Sequence, residues 1–206
     1  METTANTKDK ILIVAAHHFS NYGFEGTRMD KIARDAGVNK ASIYYNIGNK
    51  EALYAMVLNN VIEGSIGSFL SVFEADWSAE EKLKVYIRHI AKTIKNNPVM
   101  PKIIMREQLS QSEHLPESFA GNIEQMLDLL GSILEQGKEE GSFHTMDTLT
   151  IHFMVFGTIL FHITTSPIRE KKESLSAKYQ PEPGLLPQSV VDKIVEYILR
   201  AVKKEK

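Results

Sequence analysis

Gly37 and Gly48 cut residues 27–53 into helical pieces too short to be stable in isolation. Thr27 is placed to cap a first short helix that runs to Ala36 and buries Ile32, Ala33 and Ala36. Gly37 supplies the tight conformation that closes it, and Asn39 can cap a second, Lys40–Asn46. Gly48 ends that piece, and Asn49 caps a long helix that starts at Lys50. On the second piece only Ile43 faces inward, so Lys40, Ala41, Ser42, Tyr44, Tyr45 and Asn46 cover the rest of the circumference. Two adjacent tyrosines on so short a helix cannot both be core. Small Ala41 and Ser42 let the backbone come close to another surface. A short, polar, tyrosine-bearing helix behind a glycine turn is how a protein presents a helix to the major groove of DNA.

The charge pattern points the same way. Residues 27–50 carry Arg28, Lys31, Arg34, Lys40 and Lys50 against Asp30 and Asp35, a net +3 in a chain of net −2. A basic patch on a mildly acidic body focuses the attraction for phosphate on one surface. The Tyr44, Tyr45 and Ser42 hydroxyls suit phosphate, and Lys40 and Asn46 are long enough for base edges or phosphate. Lys50 sits in the first turn of a helix, where a cation opposes the macrodipole. Its place makes sense if it and the helix start hold a phosphate together. Arg28 stands in the same relation to the preceding helix.

Helical periodicity runs through almost the whole chain and strand signals are nearly missing, so the fold class is all-α with about nine helices. Lys8–Tyr22 carries Ile11, Leu12, Ala15, Ala16 and Phe19 on one side and stops at Gly23. Longer helices follow: about 51–74, then 78–96 behind a Ser78/Glu81 capping box, a short one near 102–110, and one from Pro116 to 140. Thr145 is placed to cap a helix reaching Thr165 that is apolar on nearly every side. Four of the seven prolines fall in 166–187, which reads as a long loop, and 188–204 closes the chain with an apolar stripe.

Cysteine is absent, which removes disulfides, zinc–thiolate sites and thiol nucleophiles. No signal-peptide pattern opens the chain, and the apolar run 153–163 is too short to span a bilayer. A cytoplasmic location without membrane attachment is expected. Nucleophile-elbow, phosphate-cradling and His-Glu-x-x-His motifs are missing, and His17 and His18 point to different helix faces. Catalysis, a cofactor and a metal are therefore not expected.

The residues Ile11-Leu12, Ala15-Ala16, Phe19, Tyr22-Gly23-Phe24, Thr27, Ile32-Ala33, Ala36 to Lys40, Ile43-Tyr44-Tyr45, Asn49-Lys50-Glu51 and Leu53 agree in order and spacing with a known pattern. Over about residues 8–55 the chain resembles the N-terminal domain of the TetR family of transcriptional regulators. The resemblance implies an all-helical homodimer that represses transcription at a palindromic operator and is released by a small effector. It places DNA contacts on Thr27, Arg28, Lys40, Ala41, Ser42, Tyr44, Tyr45 and Lys50, to which the local reading adds Asn46. The chain departs from the family pattern at Ala41, where Gly or Pro is frequent, at Asn46 for His, and at Ile47 for Phe.

The expected division is a helix-turn-helix headpiece over 1–48 and a ligand-binding and dimerisation domain over 49–206. A helix apolar all round is buried. Residues 145–165 and the stripe on 188–204 therefore suggest a four-helix dimer interface through Ile151, Val155, Ile159, Val191, Ile194, Val195, Ile198 and Val202. A pocket for a hydrophobic effector is expected among the helices of 51–165. Its candidate walls are Met100, Met105, Leu109, Met126, Leu130, Met154 and Phe161, with Trp77, Tyr86, His89 and His162 as polar handles. An effector-independent DNA-binding protein and a transcriptional activator are the alternatives the sequence leaves open.

Overall fold

The computed structural model describes residues 7–70, 76–111, 113–170 and 184–204, with residues 61–70 and 170 described by backbone alone. The described residues form ten helices and no strand: α1 (Thr7–Gly26), α2 (Met29–Asp35), α3 (Lys40–Asn46), α4 (Lys50–Leu70), α5 (Ala79–Asn96), α6 (Met100–Leu109), α7 (Glu117–Glu139), α8 (Thr148–Thr164), α9 (Ser166–Glu170) and α10 (Gln188–Val202). None of them is long and apolar enough to cross a membrane.

Two compact units divide the chain, one comprising 1–65 with 97–122 and the other 66–96 with 123–206. This division differs from the sequence division at 48/49, because α6 packs on α1 and so brings a later segment into the headpiece unit. The first unit is built on an aromatic centre. The Phe19 and Phe24 rings of α1 meet Tyr54 of α4 edge-on at 4.6 and 5.1 Å. Ile11, Ala15, Ile32, Ile43, Leu53 and Leu58 are buried in the same unit. Gly23 interrupts α1 with φ 71° and ψ 179°, where the sequence places a helix stop.

The second unit packs α5, α8 and α10 on one another. Leu83 and Ile87, Ile151 and Val155, and Ile194 and Ile198 share one buried cluster. Gly137 on α7 is obligatory there. A Cβ at that position would lie 2.1 Å from the Phe143 ring, and Phe143 is fully buried. The Phe143 and Lys203 backbones form an isolated antiparallel bridge, and Lys203 Nζ pairs with Glu80 at 2.7 Å. The expected Ser78/Glu81 capping box is present, with Ser78 N and Oγ donating to Glu81 Oε2 at 2.9 and 2.6 Å.

Several expectations need correction. The eight residues assigned to a dimer interface, Ile151, Val155, Ile159, Val191, Ile194, Val195, Ile198 and Val202, are all buried in the core of this one chain. They share one buried cluster with residues of α5 and α7, and each keeps 6% or less of its surface exposed within the chain. The cap of α8 is Asp147, not Thr145: its carboxylate accepts from Thr150 N at 2.7 Å and from Thr150 Oγ1 at 2.6 Å. Arg28, not Thr27, occupies the N-cap position of α2, without a side-chain cap bond. Residues 166–170 are helical rather than loop, and the helix expected to reach 74 is described to Leu70. The remainder of the expected loop, 171–183, and Phe73 lie outside the described residues.

Candidate nucleic-acid interface

The turn between α2 and α3 is specified by three residues. Gly37 takes φ 68° after the last turn of α2. Its N–H donates to Arg34 O at 3.1 Å while Val38 N–H reaches back to Ala33 O at 2.9 Å. That pair of bonds is a Schellman closure, which requires a left-handed residue at the position of Gly37. Asn39 then caps α3, its side-chain oxygen accepting from Ala41 N at 2.9 Å. Ile43 alone among the residues of α3 is buried. One inward anchor therefore fixes the rotation of the helix and leaves its other side chains outside.

Lys40, Ala41, Tyr44, Tyr45 and Asn46 are exposed and Ser42 is half-buried; Tyr45 is 91% exposed. Exposure of so large an aromatic surface is costly in a helix that serves only to pack. Asn46 Nδ2 donates to Ser42 O at 2.7 Å, so its side chain lies back along its own helix. Lys40 Nζ pairs with Asp30 Oδ1 of α2 at 2.7 Å and stands 6.0 Å from the centre of the Tyr44 ring. The Asp30 carboxylate raises the pKa of Lys40 above its ordinary value, first through this hydrogen bond.

Arg28 is exposed at the start of α2, while Thr27 is buried, donating from Oγ1 to Gly23 O at 2.6 Å. Thr27 thus ties the break in α1 to the start of α2, and its hydroxyl is committed inside the chain. Lys50 is half-buried. Its Nζ lies 4.4 Å from the centre of the Phe24 ring and donates to Glu25 O at 3.4 Å. That holds the ammonium at the junction of α1 and α4.

Besides the Lys40–Asp30 pair, sequence reasoning missed further tertiary links in this unit. His18 Nε2 and Asp35 Oδ2 meet at 2.8 Å between α1 and α2, and this bond, with Arg34, holds the Asp35 carboxyl below its ordinary pKa. Arg106 on α6 donates to Ser20 O and Asn21 O of α1 at 3.0 and 2.6 Å. Tyr54 donates to buried Glu107 at 2.6 Å, and burial drives the Tyr54 pKa upward. His114 pairs with Glu25 at 3.1 Å and stacks on Phe24. The only sequence signal for these was polar residues interrupting apolar stripes, as at His18 and Glu107.

Residues 11–57 match the family model for bacterial regulatory proteins of the tetR family, and residues 80–171 match the tetracyclin repressor-like C-terminal domain. The chain belongs to the TetR family of transcriptional regulators. As in its family, the all-α fold joins a helix-turn-helix headpiece to a helical C-terminal region. Among its relatives, the HTH-type transcriptional regulator RutR of Escherichia coli K12 is 27% identical over 160 residues, covering 78% of this chain and 75% of RutR. The HTH-type transcriptional repressor NicS of Pseudomonas putida is 27% identical over 158 residues, covering 75% of this chain and 74% of NicS. The fold is shared with the ketosteroid transcriptional regulator KstR2 of Mycobacterium tuberculosis at TM-score 0.74 and 19% identity, over 98% of both chains. It is shared with FadR from Bacillus subtilis, in complex with stearoyl-CoA, at TM-score 0.71 and 22% identity, over 93% of this chain and 97% of that one.

The expected effector-pocket residues of this TetR-family chain fall in both compact units. Met100, Met105 and Leu109 belong to the first unit, and Trp77, Tyr86, His89, Met126, Leu130, Met154, Phe161 and His162 to the second. Leu109, Met154 and Phe161 are 84, 41 and 61% exposed. Tyr86 and Leu130 are core, and the Tyr86 hydroxyl shares a 3.1 Å hydrogen bond with Nδ1 of buried His152. Burial lowers the His152 pKa below the ordinary histidine value. Trp77, His89, Met126 and His162 are half-buried.

Proposed function

We propose that this TetR-family regulator is a repressor that binds a palindromic operator as a homodimer and is released by a small hydrophobic effector. The observation that carries DNA reading is α3: a helix with one buried residue whose outer surface is Lys40, Ala41, Tyr44, Tyr45 and Asn46. Such a surface can fill a major groove, with Arg28 and Lys50 flanking it toward phosphate. Thr27 drops out of the contact set because its side chain is buried. Support for repression comes from the relatives, among them NicS, named as a repressor, and IcaR of Staphylococcus epidermidis, named as a negative regulator.

Pairing of two chains is supported by the outward side of α8. Leu149, Phe153, Met154 and Phe161 are 46, 61, 41 and 61% exposed, and Tyr197 of neighbouring α10 is 59% exposed. Large apolar side chains exposed together on one helix and its neighbour are expected of an association surface. The interface therefore uses the faces of α8 and α10 opposite to the ones the sequence pattern indicated. For the effector, FadR's complex with stearoyl-CoA supports a hydrophobic class. Within the second unit the half-buried Trp77, His89, Met126 and His162 are the remaining candidate contacts. Nε2 of His162 is buried and makes no hydrogen bond among the described residues, which suits a polar handle.

Selection of binding sequences from a randomised duplex pool tests the reading. An enriched inverted repeat is expected, with half-site centres about one helical turn, 34–36 Å, apart. Enrichment of a single unrepeated site contradicts the dimer, and no enrichment contradicts DNA reading.

A further inference from the structure

We infer that Asp30 is a specificity-determining residue, which keeps Lys40 for base edges and away from the phosphate backbone. The inference rests on the reading of α3 as the DNA-facing helix. Asp30 Oδ1 lies 2.7 Å from Lys40 Nζ, and the Tyr44 ring flanks the ammonium from within α3. Lys40 and Asp30 side chains are 47 and 71% exposed, so the pair stands at the surface and not in the core. An exposed pair of this kind adds little to stability. Its consequence lies in what the ammonium can do next.

A lysine ammonium has three N–H donors and no acceptor. Asp30 takes one of them, and with the Lys40 side chain 47% exposed the other two remain for a ligand. Guanine O6 and N7 present acceptors without a full negative charge, so Lys40 can donate to them while it stays on Asp30. A phosphate is different. Meeting Lys40 in this arrangement brings it beside the Asp30 carboxylate, and like charges at such separations repel. A paired lysine also releases few counterions, and counterion release is the source of sequence-independent affinity. The other acid of α2, Asp35, is occupied by His18 and Arg34, so the two carboxylates of that helix hold different groups.

The test compares wild type, Asp30→Asn, Lys40→Gln and the double variant on two duplexes of equal length. One carries the sequence that wild type enriches from a randomised pool, and the other is a scrambled version. Asp30→Asn should tighten binding to the scrambled duplex several-fold, with the slope of log K against log salt steeper by about one. Binding to the enriched duplex should gain less, so discrimination falls several-fold. In the Lys40→Gln background Asp30→Asn should have no effect on discrimination, because the coupling runs through Lys40. Unchanged discrimination in Asp30→Asn overturns the inference. An equal gain in the Lys40→Gln background also overturns it, since the carboxylate then acts by general repulsion alone. If wild type enriches no sequence, the DNA-reading function fails, and the assignment of Asp30 fails with it. Circular dichroism of each variant, expected to match wild type, separates these results from loss of the fold.

Discussion

α3 and α8 are read from sequence with very different success, and the contrast lies in how each spends its apolar residues. α3 has seven residues and one buried side chain, Ile43. A helix with a single apolar anchor has one way to face its core, so everything else on it is outside by elimination. α8 has seventeen residues and is apolar on almost every side. Such a pattern establishes that two faces are covered but not which face belongs to the subunit's own core. By pattern alone, Ile151, Val155 and Ile159 fit either side equally. The structure puts them inward and leaves Phe153, Met154 and Phe161 outside. Sparse apolar patterning specifies orientation; saturated patterning specifies only burial.

Charge substitutions on the two sides of α8 break this comparison if it is wrong. Ile159→Glu places an unpaired carboxylate at a site with no exposed surface and should cost about 3–5 kcal/mol, with cooperative unfolding lost or shifted to much lower denaturant. Phe161→Glu combined with Phe153→Glu should leave helicity intact by circular dichroism, yet give a monomer by light scattering at micromolar concentration. If the pair of Phe variants unfolds the chain and Ile159→Glu merely separates subunits, the faces are assigned the wrong way round.

On the α3 side the expected effects are smaller. Lys50→Ala should weaken binding to all duplexes alike and reduce the salt slope by about one. Salt-dependent anisotropy checks this, and an unchanged slope means that Lys50 serves only to hold Phe24 and the Glu25 carbonyl.

A still smaller effect belongs to the buried pair of Tyr86 on α5 and His152 on α8. Burial lowers the His152 pKa in the folded chain, whereas in the unfolded chain it titrates near 6.5. The unfolded state then binds more protons on acidification, so this contribution to stability is present above about pH 6.5 and is lost as pH falls below it. Denaturant titrations between pH 5 and 8 should show a decline toward acid that flattens in His152→Asn.

Local signals in the sequence were read well. The Asn39 and Asn49 caps, the Gly37 turn and the Ser78/Glu81 box each act within a few residues, and each is present with its hydrogen bonds. Where two capping residues stood close together, as at Thr145 and Asp147, spacing alone did not choose between them. Ties between distant segments were illegible for a different reason. Arg106 on the α1 carbonyls and Lys40 on Asp30 depend on which helix ends meet in space, and no periodicity encodes that. Thr27 shows both limits: its type suited a cap or a phosphate, and tertiary packing turned its hydroxyl to Gly23 O.

The proposed function requires that two copies of α3 read DNA from a homodimer. Hydroxyl-radical and guanine-N7 methylation footprinting on the enriched duplex tests it most directly. Two symmetry-related windows of major-groove protection are expected, centred about 34–36 Å apart on one face of the duplex, with phosphate protection flanking each. A single window, or protection confined to the minor groove, would contradict it.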